Sequence, residues 1–501
     1  MAKSMSLHIL LVLIFLILFF SSSLAIPVVT YNVISLGAKS DGRSDSTKAF
    51  LAAWAKACGS TAASTIYVPP GRYLLHNVVF QGQCRNNDIT IRIDGTLVAP
   101  SDYRVIGDAG NWILFEHVNG VYIYGGILDG QGAGLWACKR SGNNNCPSGA
   151  TTLGFSNSNN ILINGLTSQN SQMFHVVING CHNVKVQGVR VSASGNSPNT
   201  DGIHVQLSSD VTILNARIGT GDDCVSVGPG TTNLWIENVA CGPGHGISIG
   251  SLGKELHEAG VQNVTVKTVT FTGTENGLRI KSWGRPSTGF ARNILFQHAL
   301  MKNVDNPIVI DQNYCPDNKN CPGKSSGVKI SDVTYQDIHG ASATKIAVKF
   351  DCSPMYPCFG INLEDVKLIY KNQPAEASCR NADGSASGFV QPNSCLKFVV
   401  NVDARFRFSS FYDQDLCSIN FVTTRRSPRQ ASSPEVPAYT DKSEYAGCFP
   451  GANPPTLKSD MKVREKLATD GMGLQLLRYG QNMGSSVLRH GSGESVAATA
   501  L

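Results

Sequence analysis

The chain has 501 residues, with 42 Lys+Arg against 36 Asp+Glu, a formal net charge of +6, 42% hydrophobic and 16% charged residues. A charge this dilute excludes a dedicated nucleic-acid binder, the hydrophobic share excludes wholesale disorder, and the 50 glycines lack the period of three that collagen needs. Fifteen cysteines point to an oxidising compartment, and their odd number leaves one thiol without a partner in the chain.

Residues 1–25 carry Lys3, an apolar run from Ile9 to Phe20, and small residues at Ser23 and Ala25. The run is shorter than the roughly 20 residues of a spanning helix. The segment therefore reads as a secretory signal peptide cleaved near Ala25, leaving no membrane segment in the mature chain. Residues 46–58 form the next element, a short amphipathic helix. Ser46 is its expected N-cap, and Phe50 and Trp54 share one face. Beyond it the sequence repeats. Asn160, Asn183, Asp210, Asn233, Asn263 and Asn293 each open a short run of alternating apolar and polar residues, spaced 23, 27, 23, 30 and 30 apart. Val328-Lys329-Ile330 and Ile361-Asn362-Leu363 are read as continuing the series, and Ile89–Ile93 and Val121–Ile127 as weaker early copies. Most units carry a second apolar pair, such as Val189 and Val191 or Val269 and Phe271. Such units are half-buried strands, and a period of 20–30 residues without room for crossover helices predicts a parallel β-helix. An antiparallel sandwich is the alternative, but paired hairpin signals are sparse. The helix at 46–58 would cap the solenoid.

In a β-helix, a residue one coil further on stacks about 4.8 Å above its predecessor. Asp201 falls in Asn199-Thr200-Asp201, and Asp222 and Asp223 in Gly221-Asp222-Asp223-Cys224, with Asp222 21 residues after Asp201. His245, in Gly244-His245-Gly246, lies 22 residues after Asp223; Arg279 and Lys281 share one strand face in Arg279-Ile280-Lys281. Four adjacent coils thus present three carboxylates, an imidazole and two cations at similar phase. Glycines beside Asp222 and His245 are expected to leave room for a chain-like ligand. Paired carboxylic acids acting as proton donor and water activator suit glycoside hydrolysis, with one pKa raised by its neighbours. The cations suit ligand carboxylates. Taken singly, each feature also has a plainer reading. Gly-Asp-Asp is a common turn, three Asp residues can hold calcium, and Arg279 and Lys281 can be a solvated strand face. For His204, orienting Asp201 and serving as an ordinary strand histidine both stay open.

Asn-Thr-Asp, Gly-Asp-Asp, Gly-His-Gly and Arg-Ile-Lys, in this order, resemble the four signatures of polygalacturonases, pectin-hydrolysing glycoside hydrolases, in their plant form. Leu36-Gly37-Ala38 with Asp41-Gly42, and Asp311-Gln312-Asn313-Tyr314-Cys315, match further segments, and the resemblance covers residues 27–396. It implies a right-handed parallel β-helix and hydrolysis of α-1,4-linked polygalacturonate with inversion. Asp222 would be the general acid, Asp201 and Asp223 would position and deprotonate water, and His245 would tune the acid. Arg279, Lys281, Tyr314 and Asn199 would bind substrate. Attack inside the chain is preferred over attack at its end, and a calcium-dependent lyase on the same fold is the rival. Carboxylates one coil apart sit nearer the roughly 5 Å of retaining enzymes than the wider gap of inverting ones, in conflict with the inversion the family implies.

Closeness and the resemblance together suggest the disulfides Cys58–Cys84, Cys224–Cys241, Cys352–Cys358 and Cys379–Cys395, with Cys138–Cys146 and Cys315–Cys321 as further pairs. Cys181 is left as a buried free thiol. No metal-ligand spacing or cofactor motif stands out, so no cofactor and no metal are expected. Asn263-Val264-Thr265 is a glycosylation sequon. The expected organisation is a signal peptide (1–25), a catalytic β-helix (26–396) and a poorly ordered extension (397–501) outside the family pattern. Without the first and last of these, 28 basic and 26 acidic residues remain, a charge of +2. The expected mature protein is a secreted, extracellular, cell-wall monomer whose partner is pectin.

Overall fold

The computed structural model describes residues 28–397, apart from 143, 317, 318 and 320. The signal-peptide segment 1–25 and all but the first residue of the 397–501 extension lie outside the described residues. No described helix is long and apolar enough to cross a membrane.

The described chain winds as a parallel β-helix, with an 11-stranded front sheet and a 19-stranded sheet that wraps the other faces. Strand pairing is parallel throughout, save one short antiparallel contact at Ile369–Pro374. The repeat read from the sequence is the coil itself. Ile161 stacks on Val184, Val184 on Val211, Val211 on Leu234, Leu234 on Val264 and Val264 on Ile294. The early copies join below, Ile89 on Val121 and Val121 on Ile161. Each of these side chains points inward and is buried. A buried Val, Leu or Ile contributes roughly 1.5–3 kcal/mol, so the columns carry much of the stability.

The Asn or Asp that opens each unit is the corner residue. Asn160, Asn183, Asp210, Asn233, Asn263 and Asn293 all have φ between 53° and 57°. Asn and Asp tolerate the left-handed region better than other non-glycine residues, which is why they recur there. One rung departs from the reading. Ile294 pairs with Val333, not with the Val328–Ile330 run, and Val333 pairs with Ile361. Asp332 takes the left-handed corner at φ 54°, so Val333 and Tyr335 turn inward, while Ile330 belongs to the approach to the corner, opposite Ala291.

The helix Thr47–Gly59 covers the N-terminal end of the coil, with Phe50 and Trp54 buried. Trp54 packs on Phe80 at 5.2 Å, and Phe80, Phe115 and Phe155 stack at 4.8 and 4.9 Å beneath it. Ser46 occupies the N-cap position but its side chain does not cap. Its hydroxyl is engaged with Lys39, and the Asp45 carboxylate accepts from the Thr47 amide instead, at 2.9 Å. All six disulfides form in the pairing read from the sequence, and Cys181 is buried with a free thiol.

Candidate active site

The site is built on consecutive front-sheet strands, Ile203–Gln206, Val225–Val227, Ile247–Leu252 and Asn276–Trp283. Ile203 pairs with Val225 and Val225 with Ile247. Counting back two residues from each places Asp201, Asp223 and His245 in one column, as the spacing predicts. Along the strands a second column faces outward: His204, Ser226, Ser248 and Arg279 are successive partners. The sequence signal for this column is a polar residue held between two apolar ones, as in Val225-Ser226-Val227 and Ile247-Ser248-Ile249. That signal is common to every half-buried strand, so Ser226 and Ser248 escape a reading by motif.

Asp223 is the anchor of the cluster. One carboxylate oxygen accepts from Ser248 Oγ at 2.7 Å and Arg279 Nη2 at 2.9 Å; the other accepts from Lys281 Nζ at 2.8 Å. Arg279 Nε also donates to Ser248 Oγ at 2.9 Å. The Asp223 side chain is only 2% exposed, and those of Arg279 and Lys281 are 9% and 8%. Burial alone would raise the Asp223 pKa, but Lys281 and Arg279 outweigh it and hold the group at about 2. Asp201 goes the other way: burial first, then the charges of Asp222 and Asp223, push its pKa well above the usual carboxylate range. Two carboxyls one coil apart are thus shifted in opposite directions.

Asp222 faces outward beside them. Its Oδ1 lies 3.1 Å from His245 Nδ1 and accepts from the Asp223 amide at 2.8 Å. His245 Nε2 lies 3.3 Å from Glu275 Oε2 on the next coil, so the imidazole is held between two carboxylates. Burial would lower its pKa, but the bond and charge of Asp222 and the charge of Glu275 raise it. Glu275 escapes the sequence reading, since it precedes the Arg-Ile-Lys strand without any motif of its own. Cys224–Cys241 ties the turn of the two acids to the coil that leads to His245.

The remaining candidates separate. Tyr314 lies beside the cluster, with Lys281 Nζ over its ring at 5.1 Å and Trp283, which also lacks a motif, edge-on at 5.3 Å. Asn199 is exposed in the turn before Asp201, with φ 55°. His204 bonds Ser226 Oγ at 2.7 Å and Gln206 Oε1 at 3.2 Å, and reaches Asp201 through Ser226, which is hydrogen-bonded to that carboxyl. Contrary to the sequence reading, the glycines do not open space for a ligand. A Cβ at Gly221 would lie 2.1 Å from the Ser197 carbonyl oxygen, and one at Gly246 2.1 Å from that of Asn276. They let successive coils close on one another.

Asp222, Asp223 and His245 come close enough, within 4.8 Å, to share a cation. Both oxygens of Asp223 are already taken by fixed donors, two of them positive, and these repel a further cation. Chemically the cluster offers an ionised anchor, a carboxyl of raised proton affinity and an outward carboxyl paired with an imidazole whose pKa is raised.

Fold and site together define an acid–base enzyme of solenoid build. The family described as glycosyl hydrolases family 28 matches residues 58–395, and the chain belongs to it. It is 75% identical over 376 residues to a polygalacturonase of Prunus persica, covering 75% of this chain and 95% of that one. It is 42% identical over 378 residues to an exopolygalacturonase of Arabidopsis thaliana, covering 74% and 84%. Among solved structures it resembles an endo-xylogalacturonan hydrolase of Aspergillus tubingensis, with TM-score 0.64, 24% identity and coverage of 72% and 100%. It also resembles a polygalacturonase of Erwinia carotovora, with TM-score 0.58, 24% identity and coverage of 74% and 100%. At such identities these structures speak for the fold.

Proposed function

We propose that the protein is a secreted cell-wall enzyme that hydrolyses α-1,4-galacturonosyl linkages of polygalacturonate inside the chain, with inversion. The observation that carries this is the split cluster: Asp223 pinned as an anion by Arg279 and Lys281, while burial and two acidic neighbours raise the proton affinity of Asp201 beside it. Membership of the family and the 75% identity to a polygalacturonase support the substrate. Asp222, the outward carboxyl, protonates the leaving oxygen, and charged His245 against it supplies and orients the proton. Asp201 acts from its ionised form, in which the proton affinity raised by burial and its acidic neighbours makes it the stronger base, and deprotonates the attacking water. Asp223 is a weaker base than Asp201, because two cations neutralise its charge, and it serves to position them. Arg279 and Lys281 present their remaining donors to a substrate carboxylate, with Tyr314 and Asn199 at the margin of the same subsite.

Attack within the chain is supported by the front sheet, which continues on both sides of the catalytic coils. The strands Thr151–Ser156 and Val176–Asn179 lie before them, and Asn306–Tyr314 and Ile346–Asp351 after. At about 4.8 Å per strand this is a floor for several sugars. The exo reading is favoured by one fact, the exopolygalacturonase names of relatives at 42% and 41% identity. Incubation with polygalacturonic acid decides between them. Endo action gives a spread of oligomers and early loss of viscosity, whereas release of monomer alone overturns it. NMR of the first-formed product tests inversion, and initial retention refutes it. Six disulfides fit an oxidising compartment, and recovery of activity outside the cell tests secretion. The proposed enzyme acts as a monomer without a cofactor; activity that collapses with a metal chelator would overturn the latter.

A further inference from the structure

Asn263 stands in a column of stacked amides on the wrapped sheet, away from the catalytic strands. Its Nδ2 donates to Asn233 Oδ1 at 3.0 Å, and its Oδ1 accepts from Asn293 Nδ2 at 2.7 Å. Both polar atoms are engaged, yet the residue is exposed. It also opens the sequon Asn263-Val264-Thr265, so the column and the modification compete for the same nitrogen unless geometry separates them. The geometry does separate them. Donor and acceptor bonds leave the amide in opposite directions along a repeat of about 4.8 Å. Only the hydrogen anti to the carbonyl oxygen can follow that axis. The other hydrogen, syn to the oxygen, projects sideways into solvent. An N-glycan replaces one hydrogen, and the resulting secondary amide is trans, with the sugar syn to the oxygen and the surviving hydrogen anti to it. The hydrogen that is lost is the one the column does not use.

A second feature lies beside it. Trp235 pairs with Thr265 of the sequon on the adjacent coil, is 40% exposed, and is held by a bond from Nε1 to Glu237 at 2.9 Å. An indole face fixed in solvent next to the attachment point is a platform for the apolar face of a pyranose ring. We infer that Asn263 carries an N-linked glycan in the folded enzyme, with the sugar syn to the carbonyl, the ladder intact and the first N-acetylglucosamine lying against Trp235.

The test is the full chain produced in yeast, with a yeast leader in place of residues 1–25 so that entry to the secretory pathway does not depend on the chain's own leader. Secreted, folded protein is treated with peptide N-glycosidase in heavy-oxygen water, and the peptide spanning Asn263 is read by mass spectrometry. Labelled aspartate at that position is expected, together with a gel shift that Thr265→Val abolishes. Hydrolysis of polygalacturonate, if the proposed function is correct, stays within about twofold in T265V. Three outcomes overturn the inference: an unmodified Asn263 in secreted protein, a glycan confined to misfolded retained protein, or a glycosylated form that melts well below the unglycosylated T265V chain, which keeps its Asn263 amide. A protein glycosylated at Asn263 but inert on polygalacturonate would count against the proposed function alone.

Discussion

Replacing Asp223 by asparagine should unfold the site before it disarms the chemistry. Asp223 is held at about 2 against an ordinary 3.8, a preference for its charged form of roughly 2 kcal/mol at about 1.36 kcal/mol per pKa unit. The greater cost comes from what the substitution leaves behind: Arg279 and Lys281, both almost fully buried, without their counter-charge. Breaking a buried ion pair from one side costs about 3–5 kcal/mol, and D223N should lose that much. D223L should lose more, since an amide oxygen can still accept one bond from Ser248 or a cation. Urea denaturation read by fluorescence measures the loss. D223N/K281M should recover part of it, because one stranded cation is removed with its partner. The effect also has a pH signature. The folded pKa is depressed, so the stabilisation is complete above about pH 4 and fades as pH falls through about 2. The gap between parent and D223N should therefore narrow across that window. A D223N loss below about 1 kcal/mol, or a gap that does not change between pH 4 and pH 2, refutes the anchoring argument.

Asp222→Asn should lower kcat by about 10²–10⁴-fold with an unchanged melting curve, as measured by reducing-end release; retained activity removes the proton-donor assignment. Asp201→Asn should abolish hydrolysis yet raise the melting midpoint at pH 7. A raised folded pKa means stability that is present at low pH and lost as pH climbs, so the neutral amide gains most where the parent is strained. A lower midpoint at pH 7 would count against a raised Asp201 pKa. Glu275→Gln removes one of the two carboxylates that keep His245 charged, so the basic limb of the pH profile of kcat/KM should move to lower pH. Because Glu275 is half exposed, the shift should stay below about one pH unit. Converting both Cys224 and Cys241 to serine should cost about 3 kcal/mol of stability and lower kcat as the acid turn loosens, whereas an unaltered kcat would make the bridge purely structural.

Much of this was legible in the sequence because a solenoid writes its geometry into spacing. The corner asparagines mark the coils, so residues 21 or 22 apart are readable as neighbours, and Asp201, Asp223 and His245 did fall in one column. What spacing does not carry is the direction of a side chain or its burial. Arg279 and Lys281 read as substrate ligands, with a solvated strand face as the plainer alternative; only the fold shows them engaged in part by Asp223. Glu275 and Trp283 carry no motif and become visible only when the next coil brings them against His245 and Tyr314. Val328–Ile330 misled because alternation is the same before and after a corner, and the corner there is Asp332.

The stacked corner amides also have a polarity. Each asparagine gives its hydrogen to the coil before it and offers its oxygen to the coil after it, as from Asn293 to Asn263 to Asn233. Aspartate has no hydrogen to give, so it can start such a column but cannot extend one. Asp210 receives from Asn233 at the head of its column, and the column below it runs separately, from Asn183 through Asn160 to Asn119. Asp332, next after Asn293, is where the donors run out. Asparagine and aspartate, equivalent as left-handed corners, are therefore different punctuation: one joins a coil to its predecessor, and the other ends the amide column, leaving the join to the strands and, at Asp210, to His182 on the preceding coil, whose Nδ1 lies 3.1 Å from the carboxylate.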